Sequence, residues 1–335
     1  MALKLSVLDQ APVSAGSDMA SAVNETIALA KATEALGYHR YWVAEHHNTR
    51  SFASTAPEIL IARLAAETSR MRIGSGGVMM THYSPLKVAE TFRMLEAMYP
   101  GRIDLGMGRA PGGDARTTAA LQAGPQKFSI DAFPAQVELT ADYLANNIGE
   151  GHPLNGIVAN PTGNTTPDIW LLGSTQASAG LAAKMGHAFS FAHFINADQA
   201  ADAFATYRMY FEPSAQRPAP ETSVGIFALA CDTEEEAARQ AKTRNLWVLN
   251  FLTGKGGPFP TLAEAEAFMP TDEEKEILAG IEGRGIVGTK EQVKEQIDAL
   301  AASLSVEEVM IVTITHDPAV RTRSYELLAD AYNLT

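Results

Sequence analysis

The sequence predicts an α/β protein folded as a (β/α)₈ TIM barrel, with insertions after the fourth and seventh strands. Two observations carry this. Short apolar runs alternate with helix-length amphipathic stretches from one end of the chain to the other, the pattern of parallel strands joined by crossover helices. Eight such runs occur, and several end in polar or glycine-rich residues, as strands do where a barrel gathers its functional loops. A doubly wound open sheet shows the same alternation and is the competing architecture.

The eight strand runs are 3–8, 40–44, 72–78, 103–107, 169–172, 188–192, 224–230 and 308–314. Helical patterns follow at 20–36, 57–68, 85–98, 135–147, 178–185, 198–211, 234–248 and 319–331. Ser84-Pro85 puts proline at a first helical position, and Ser54 to Glu58 supplies Ser, Thr and Pro ahead of an apolar stripe, both helix starts. Gly37 and Gly186 follow the first and fifth helices, where a left-handed residue ends a helix without strain.

Two segments break the rhythm. Residues 110–133 are rich in Gly, Pro, Thr and Gln, and residues 250–285 hold Gly254, Gly256-Gly257, Pro258, Pro260 and an acidic helix-like stretch at 271–279. Each follows a strand, so both are expected on the catalytic face, the second as an active-site lid. Residues 155–167 precede the fifth strand and read as plain connection on the opposite side or an extra hairpin. The chain is expected to form a single barrel domain over 1–335.

Composition narrows the function. With 335 residues and 46% hydrophobic content there is material for a large core and no sign of wholesale disorder. A net charge of −13 with no basic stripe argues against nucleic acid. No apolar stretch is long enough to span a membrane, and Met1 leads into a strand pattern rather than a signal peptide, so a cytoplasmic location is expected. The single cysteine, Cys231, makes neither an internal disulfide nor a multi-cysteine zinc site, and no metal is expected.

The strand ends hold the candidate chemistry. The second strand ends Glu45-His46-His47-Asn48. Adjacent histidines point to opposite faces and make poor co-ligands, so the alternatives are a catalytic acid/base or a hydrogen-bonded structural pair. The third ends Ser75-Gly76-Gly77, which marks a bulge, an unusual peptide or a place where a flat ligand meets bare backbone. After the fourth, Arg109 stands beside glycines, placed to meet a phosphate unless it is an ordinary surface arginine. Ser174, Thr175 and Ser178 open the helix after the fifth strand, either as an anion site or as plain helix capping. His193 ends the sixth strand as a pocket or core histidine, and His316 reads as a loop residue. No lysine ends a strand as a Schiff-base aldolase requires, and the first strand lacks the His-x-His of barrel metallohydrolases.

Taken in order, residues 42–48 (Trp-Val-Ala-Glu-His-His-Asn), 74–79 (Gly-Ser-Gly-Gly-Val-Met), 101–112 (Gly-Arg-Ile-Asp-Leu-Gly-Met-Gly-Arg-Ala-Pro-Gly) and 313–317 (Thr-Ile-Thr-His-Asp) resemble the luciferase-like monooxygenases, within their single-subunit, non-luminescent bacterial branch. The likeness runs from about Leu3 to Ala331. It implies FMN at the carboxyl face, its phosphate held by Arg109 with Ser174, Thr175 and Ser178, and its ring near Gly76-Gly77, where the family often has a non-proline cis peptide. His46 matches the family's active-site histidine and His47 its neighbour. The loop Met80-Thr81-His82-Tyr83-Ser84-Pro85 departs from the usual Pro-Asn-His run, so no role carries over to His82 or Tyr83. Arg116 is the candidate for the luciferases' second phosphate-binding arginine.

The activity so implied is oxygenation of a small organic substrate by O₂ and reduced FMN, the flavin supplied by a separate flavin reductase, in a homodimer formed through helices of the second and third units. The same barrel also serves deazaflavin-dependent hydride-transfer oxidoreductases. A non-catalytic flavin-binding protein is the remaining alternative.

Overall fold

A computed structural model of the protein describes residues 3–123 and 128–334. The first two residues of the expected start, and 124–127 of the first insertion, lie outside the described residues.

Among the described residues ten strands form one sheet: β1 (Lys4–Asp9), β2 (Arg40–Val43), β3 (Arg72–Ser75), β4 (Val78–Met79), β5 (Ile103–Gly108), β6 (Asp168–Gly173), β7 (Ala188–Ala192), β8 (Thr222–Cys231), β9 (Ile286–Thr289) and β10 (Glu308–Val312). The order β10-β1-β2-β3-β5-β6-β7-β8 is parallel throughout, and pairing of β10 with β8 closes it. This is the (β/α)₈ barrel, and closure excludes the open sheet. The expected strand 72–78 is interrupted at Gly76-Gly77, whose peptide bond is cis, and resumes as β4 against β5. β9 was not expected; it pairs beyond the barrel with the last residues of β8.

Among the described residues twelve α-helices accompany the strands: α1 (Met19–Ala35), α2 (Pro57–Glu67), α3 (Pro85–Met98), α4 (Ala115–Leu121), α5 (Phe133–Ala145), α6 (Gln176–Lys184), α7 (Ala200–Tyr210), α8 (Glu234–Leu252), α9 (Leu262–Ala267), α10 (Asp272–Glu282), α11 (Lys290–Leu304) and α12 (Pro318–Tyr332). Proline opens α2 and α3 as expected, and Gly37 and Gly186 take positive φ after α1 and α6. One assignment changes. The helix that covers the barrel before β10 is α11, whose Val293, Ile297, Ala301 and Leu304 join the main core, whereas α8 packs Leu246 and Leu249 against α9 and α10 in a separate cluster.

Alternation along the strands sorts side chains into two layers. Tyr41 and Val43 of β2, with Val309 and Ile311 of β10, face the helices. Arg40, Trp42, Glu308 and Met310 stand on the other face, inside the barrel, as period-two strands dictate. The lowest interior rung is charged. Arg40 Nε donates to Glu308 Oε1 at 2.6 Å and its Nη1 to Asp104 Oδ2 at 2.8 Å. Asp104 also accepts from Arg72 Nε at 2.7 Å and from Trp42 Nε1 at 2.9 Å. Ser6 Oγ donates to Glu308 Oε1 at 2.5 Å. The Arg40 guanidinium lies 4.6 Å from the Trp170 ring centroid. Burial alone pushes the Asp104 carboxyl up, but Arg40 and Arg72 outweigh it and hold it below the usual carboxylate range.

Removing one partner of a buried charge cluster strands the others without compensation, which costs about 3–5 kcal/mol. Asp104→Ala is therefore expected to lower the unfolding free energy by about that amount in urea titration. A loss below about 1 kcal/mol would mean that water screens the cluster.

Candidate active site

Above the charged rung lies a cavity of about 670 Å³, open at the carboxyl ends of the strands, within the size range of small-molecule sites. Trp42, which donates downward to Asp104, lines it, as do Leu8, Met310 and Leu172. The sequence-predicted residues His46, Gly76, Gly77, Arg109, Ser174, Thr175 and Ser178 all border this one cavity. His47, His193 and Arg116 are not among its lining residues.

The glycine pair has a specific reason. A Cβ on Gly76 would meet Leu8 Cδ1 at 2.5 Å, and one on Gly77 would meet the Gly106 carbonyl oxygen at 2.7 Å. Both directions run into the barrel wall, so only backbone from these two residues borders the cavity. The wall's own packing requires glycine here, and a bare peptide face is the result.

On the β5–β6 side, Arg109 is exposed and makes no ion pair or hydrogen bond to a described residue. Beside it α6 begins. Thr175 caps the helix, its Oγ1 accepting from the Ser178 N–H at 3.3 Å, and the two hydroxyls bond to each other at 2.7 Å. Two hydroxyls sharing one bond retain one free O–H, and the Ala177 N–H at the cavity wall has no partner among the described residues. Capping and anion binding are thus compatible at this helix end.

The two histidines separate. His46 lines the cavity, its ring 4.5 Å from that of Phe52. Its Nδ1 is buried without a partner. Burial, with a smaller contribution from His47, pushes its pKa down to about 4, so the imidazole is neutral near pH 7. His47 instead lies behind the wall, its Nε2–H donating to Glu45 Oε1 at 2.7 Å. Glu45, fully buried, also accepts from Tyr83 Oη at 2.6 Å and from the Met79 N–H at 2.9 Å. Sequence reasoning named Glu45 and Tyr83 without giving either a role. A carboxylate directly after the apolar run Trp42 to Ala44 was the available signal, since a buried acid requires several donors.

Further contacts hold the loops. His82 Nε2 lies 2.7 Å from the Pro111 carbonyl, and the His47 N–H donates to Gly112 O at 2.9 Å, so both tie down the loop that carries Arg109. His316 reaches the Ala15 carbonyl at 3.0 Å, in the loop role expected of it. Residues 250–285 do not line the cavity. Their anchor is Phe259, which is buried and stacks on Trp247 at 4.5 Å and lies 5.7 Å from Phe52, behind His46. Among the described residues no cluster of three or more His, Cys, Asp or Glu could hold a metal ion, and no helix is long and apolar enough to cross a membrane.

Known proteins carry the same framework. A family model for luciferase-like monooxygenases matches residues 3–308. The YwcH protein of Bacillus subtilis (strain 168) is 43% identical over 98% of this chain and 99% of its own. The N-acetyl-S-alkylcysteine monooxygenase of the same organism is 35% identical, with 98% of each chain covered. The crystal structure of apo-MsnO8 superposes with a TM-score of 0.91 at 38% identity over 99% of both chains. A closed barrel, a glycine-walled cavity at its carboxyl face and these matches along nearly the whole chain lead to one assignment: the protein belongs to the luciferase-like monooxygenase family.

Proposed function

We propose that the chain binds reduced FMN in this cavity and uses it with O₂ to oxygenate a small organic substrate, the flavin arriving from a separate reductase. The observation that carries this reading is the joint placement, round one cavity, of a free guanidinium and helix N-terminus on the β5–β6 side and a buried imidazole nitrogen without a partner on the β2 side.

The residues fit the cofactor. Arg109, the free hydroxyl proton of the Thr175–Ser178 pair and the Ala177 N–H would hold the phosphate, where a helix N-terminus favours negative charge. The peptide face at Gly76-Gly77 admits a flat ring with no side chain in the way. Bound in its reduced form, FMN supplies the electrons that let O₂ deliver one oxygen atom to an organic molecule, the other leaving as water. His46, neutral and facing the cavity, offers a proton donor and a bare acceptor nitrogen on one ring. Its burial against Phe52 keeps water from competing for that nitrogen. Glu45, through Tyr83 and His47, fixes the wall beside it. The role of His47 is accordingly to position the wall, and the acid/base work falls to His46. Phe259 and Trp247, packed around Phe52, would couple the 250–285 insertion to the histidine's surroundings.

Anaerobic titration with reduced FMN, followed by admission of O₂, tests this. The protein should bind reduced FMN and slow its reoxidation relative to free flavin, and Arg109→Ala should weaken binding by about 10- to 100-fold, the worth of a charged hydrogen bond. Reoxidation at the free rate, or binding of a deazaflavin coenzyme in preference, would contradict it. A second prediction concerns pH. With a pKa of about 4 when folded and about 6.5 when unfolded, His46 carries more proton in the unfolded chain between those values. Its stabilising effect is complete above about pH 6.5 and is lost as pH falls toward 4. His46→Gln should therefore shrink the fall in unfolding free energy between about pH 7.5 and pH 5 by about 1–2 kcal/mol, read from urea midpoints. Equal falls in the two proteins would show that the imidazole is not held neutral.

A further inference from the structure

The chain leaves β1 through a strained residue. Ala11, fully buried, takes a φ of 50°, in the left-handed region that a side chain disfavours. Among the described residues the other non-glycine residues there are Asn48 and the helix-ending Asn146, Ser305 and Asn333. Ala11 is neither an asparagine nor the end of a helix. Asp9 holds it, Oδ1 accepting the Ala11 N–H at 2.8 Å. Asp9 is itself fixed, since Arg321 Nη2 donates to the same oxygen at 2.6 Å and Tyr41 Oη donates to the other. Strain of this kind persists where the surroundings over-determine it, and it gathers at functional sites.

The residue between the buried acid and the turn is Gln10. Leu8 pairs with Trp42 and Asp9 with Val43, so Gln10 comes level with Ala44, two residues before His46. Alternation aims Leu8, Gln10, Trp42 and Ala44 inward, and all four border the main cavity with His46. Past the turn the chain runs beside residues 51–53. The Ala53 N–H donates to the Ala11 carbonyl at 2.9 Å and the Val13 N–H to the Ser51 carbonyl at 2.8 Å, which seats Phe52 against the His46 ring. One stretch of backbone thus places both Gln10 and the surroundings of the histidine. The Gln10 carboxamide forms no hydrogen bond to a described residue, and the lining on either side of it, Leu8, Trp42 and Ala44, is apolar. Round the closed sheet β1 lies four strands from β6 in either direction. Gln10 therefore stands across the cavity from the helix N-terminus assigned to the flavin phosphate.

We infer that Gln10 is a specificity-determining residue that receives an uncharged amide group of the substrate and holds it beside His46. This rests on the flavin-monooxygenase reading of the same cavity. A carboxamide offers two donors and an acceptor. A substrate amide presents the matching acceptor and donor, so the two form a pair of hydrogen bonds where a ketone forms one. Gln10 carries no charge to offset an ion brought out of water, which favours a neutral partner. A site built to bond a substrate N–H rejects the analogue that lacks it, because its own polar atoms are then left unpaired.

Isothermal titration with hexanamide and with its methyl-ketone isostere 2-heptanone tests this through the ratio of the two dissociation constants. Gln10→Met keeps the length of the side chain but not its hydrogen bonding, and should shift that ratio toward the ketone by at least about fivefold relative to wild type, the worth of one neutral hydrogen bond. Should the methionine variant not fold, Gln10→Leu decides by the same ratio. An unchanged ratio, including equal weakening of both ligands, overturns the proposal, as does the absence of detectable hexanamide binding by wild type. Reduced FMN separates the two possible ligands of Gln10. Its binding should stay within about twofold of wild type in Gln10→Met, and a loss as large as that expected for Arg109→Ala would make Gln10 a flavin contact and overturn the assignment to substrate. The amide titrations need no flavin, so failure of wild type to bind reduced FMN removes the flavin reading alone.

Discussion

The charged rung at the bottom of the barrel is the constraint on which the rest of the site depends. Arg40, Asp104 and Glu308 begin β2, lie near the start of β5 and begin β10, so one guanidinium joins strands from opposite sides of the closed sheet. Such a cluster gains little net stability over an apolar core. What it does here is fix geometry. Asp104 takes the Trp42 N–H, Arg40 lies over the Trp170 ring, and the two indoles meet edge to face at 5.3 Å. Trp42 is thereby held as part of the cavity lining, and everything above it is measured from that surface.

The same economy governs the walls. Gly76 and Gly77 are required by contacts with Leu8, Trp42, Leu172 and Gly106, yet their effect is a side-chain-free face toward the cavity. Glu45 satisfies its own burial with three donors, and in doing so anchors Met79, Tyr83 and His47 around the histidine that faces the cavity. His46 is left as the cavity-lining side chain whose buried nitrogen has no partner among the described residues. A cavity-lining group left without a partner is the expected outcome when a ligand atom completes the bonding.

Much of this was legible in the sequence because strand ends are punctuated by composition. The eight barrel strands and seven of the helices assigned to them emerged from alternation, proline starts and glycine stops. The residues gathered round the cavity were read from where polar and glycine residues follow apolar runs. What escaped had physical reasons. The cis peptide at Gly76-Gly77 splits a strand that composition presents as continuous. Helix α11 carries a clear apolar face, Val293, Ile297, Ala301 and Leu304, with a Thr289–Gln292 capping box ahead of it, but it follows the longer helix α8, which fits the place of the seventh barrel helix in the alternation. His46 and His47 could not be told apart, since adjacent residues differ only in which side of the wall each meets. The role of Glu45 follows from the three donors it meets, a property of three-dimensional packing that its place after an apolar run only hints at.

The most direct test of the account is a crystal structure of the protein with FMN. It should show the phosphate against Arg109 and the N-terminus of α6, and the ring over the Gly76-Gly77 peptide with His46 beside it. FMN bound with its phosphate elsewhere, for instance in the polar cleft lined by Lys290 and Arg323, would contradict the assignment of this cavity as the flavin site.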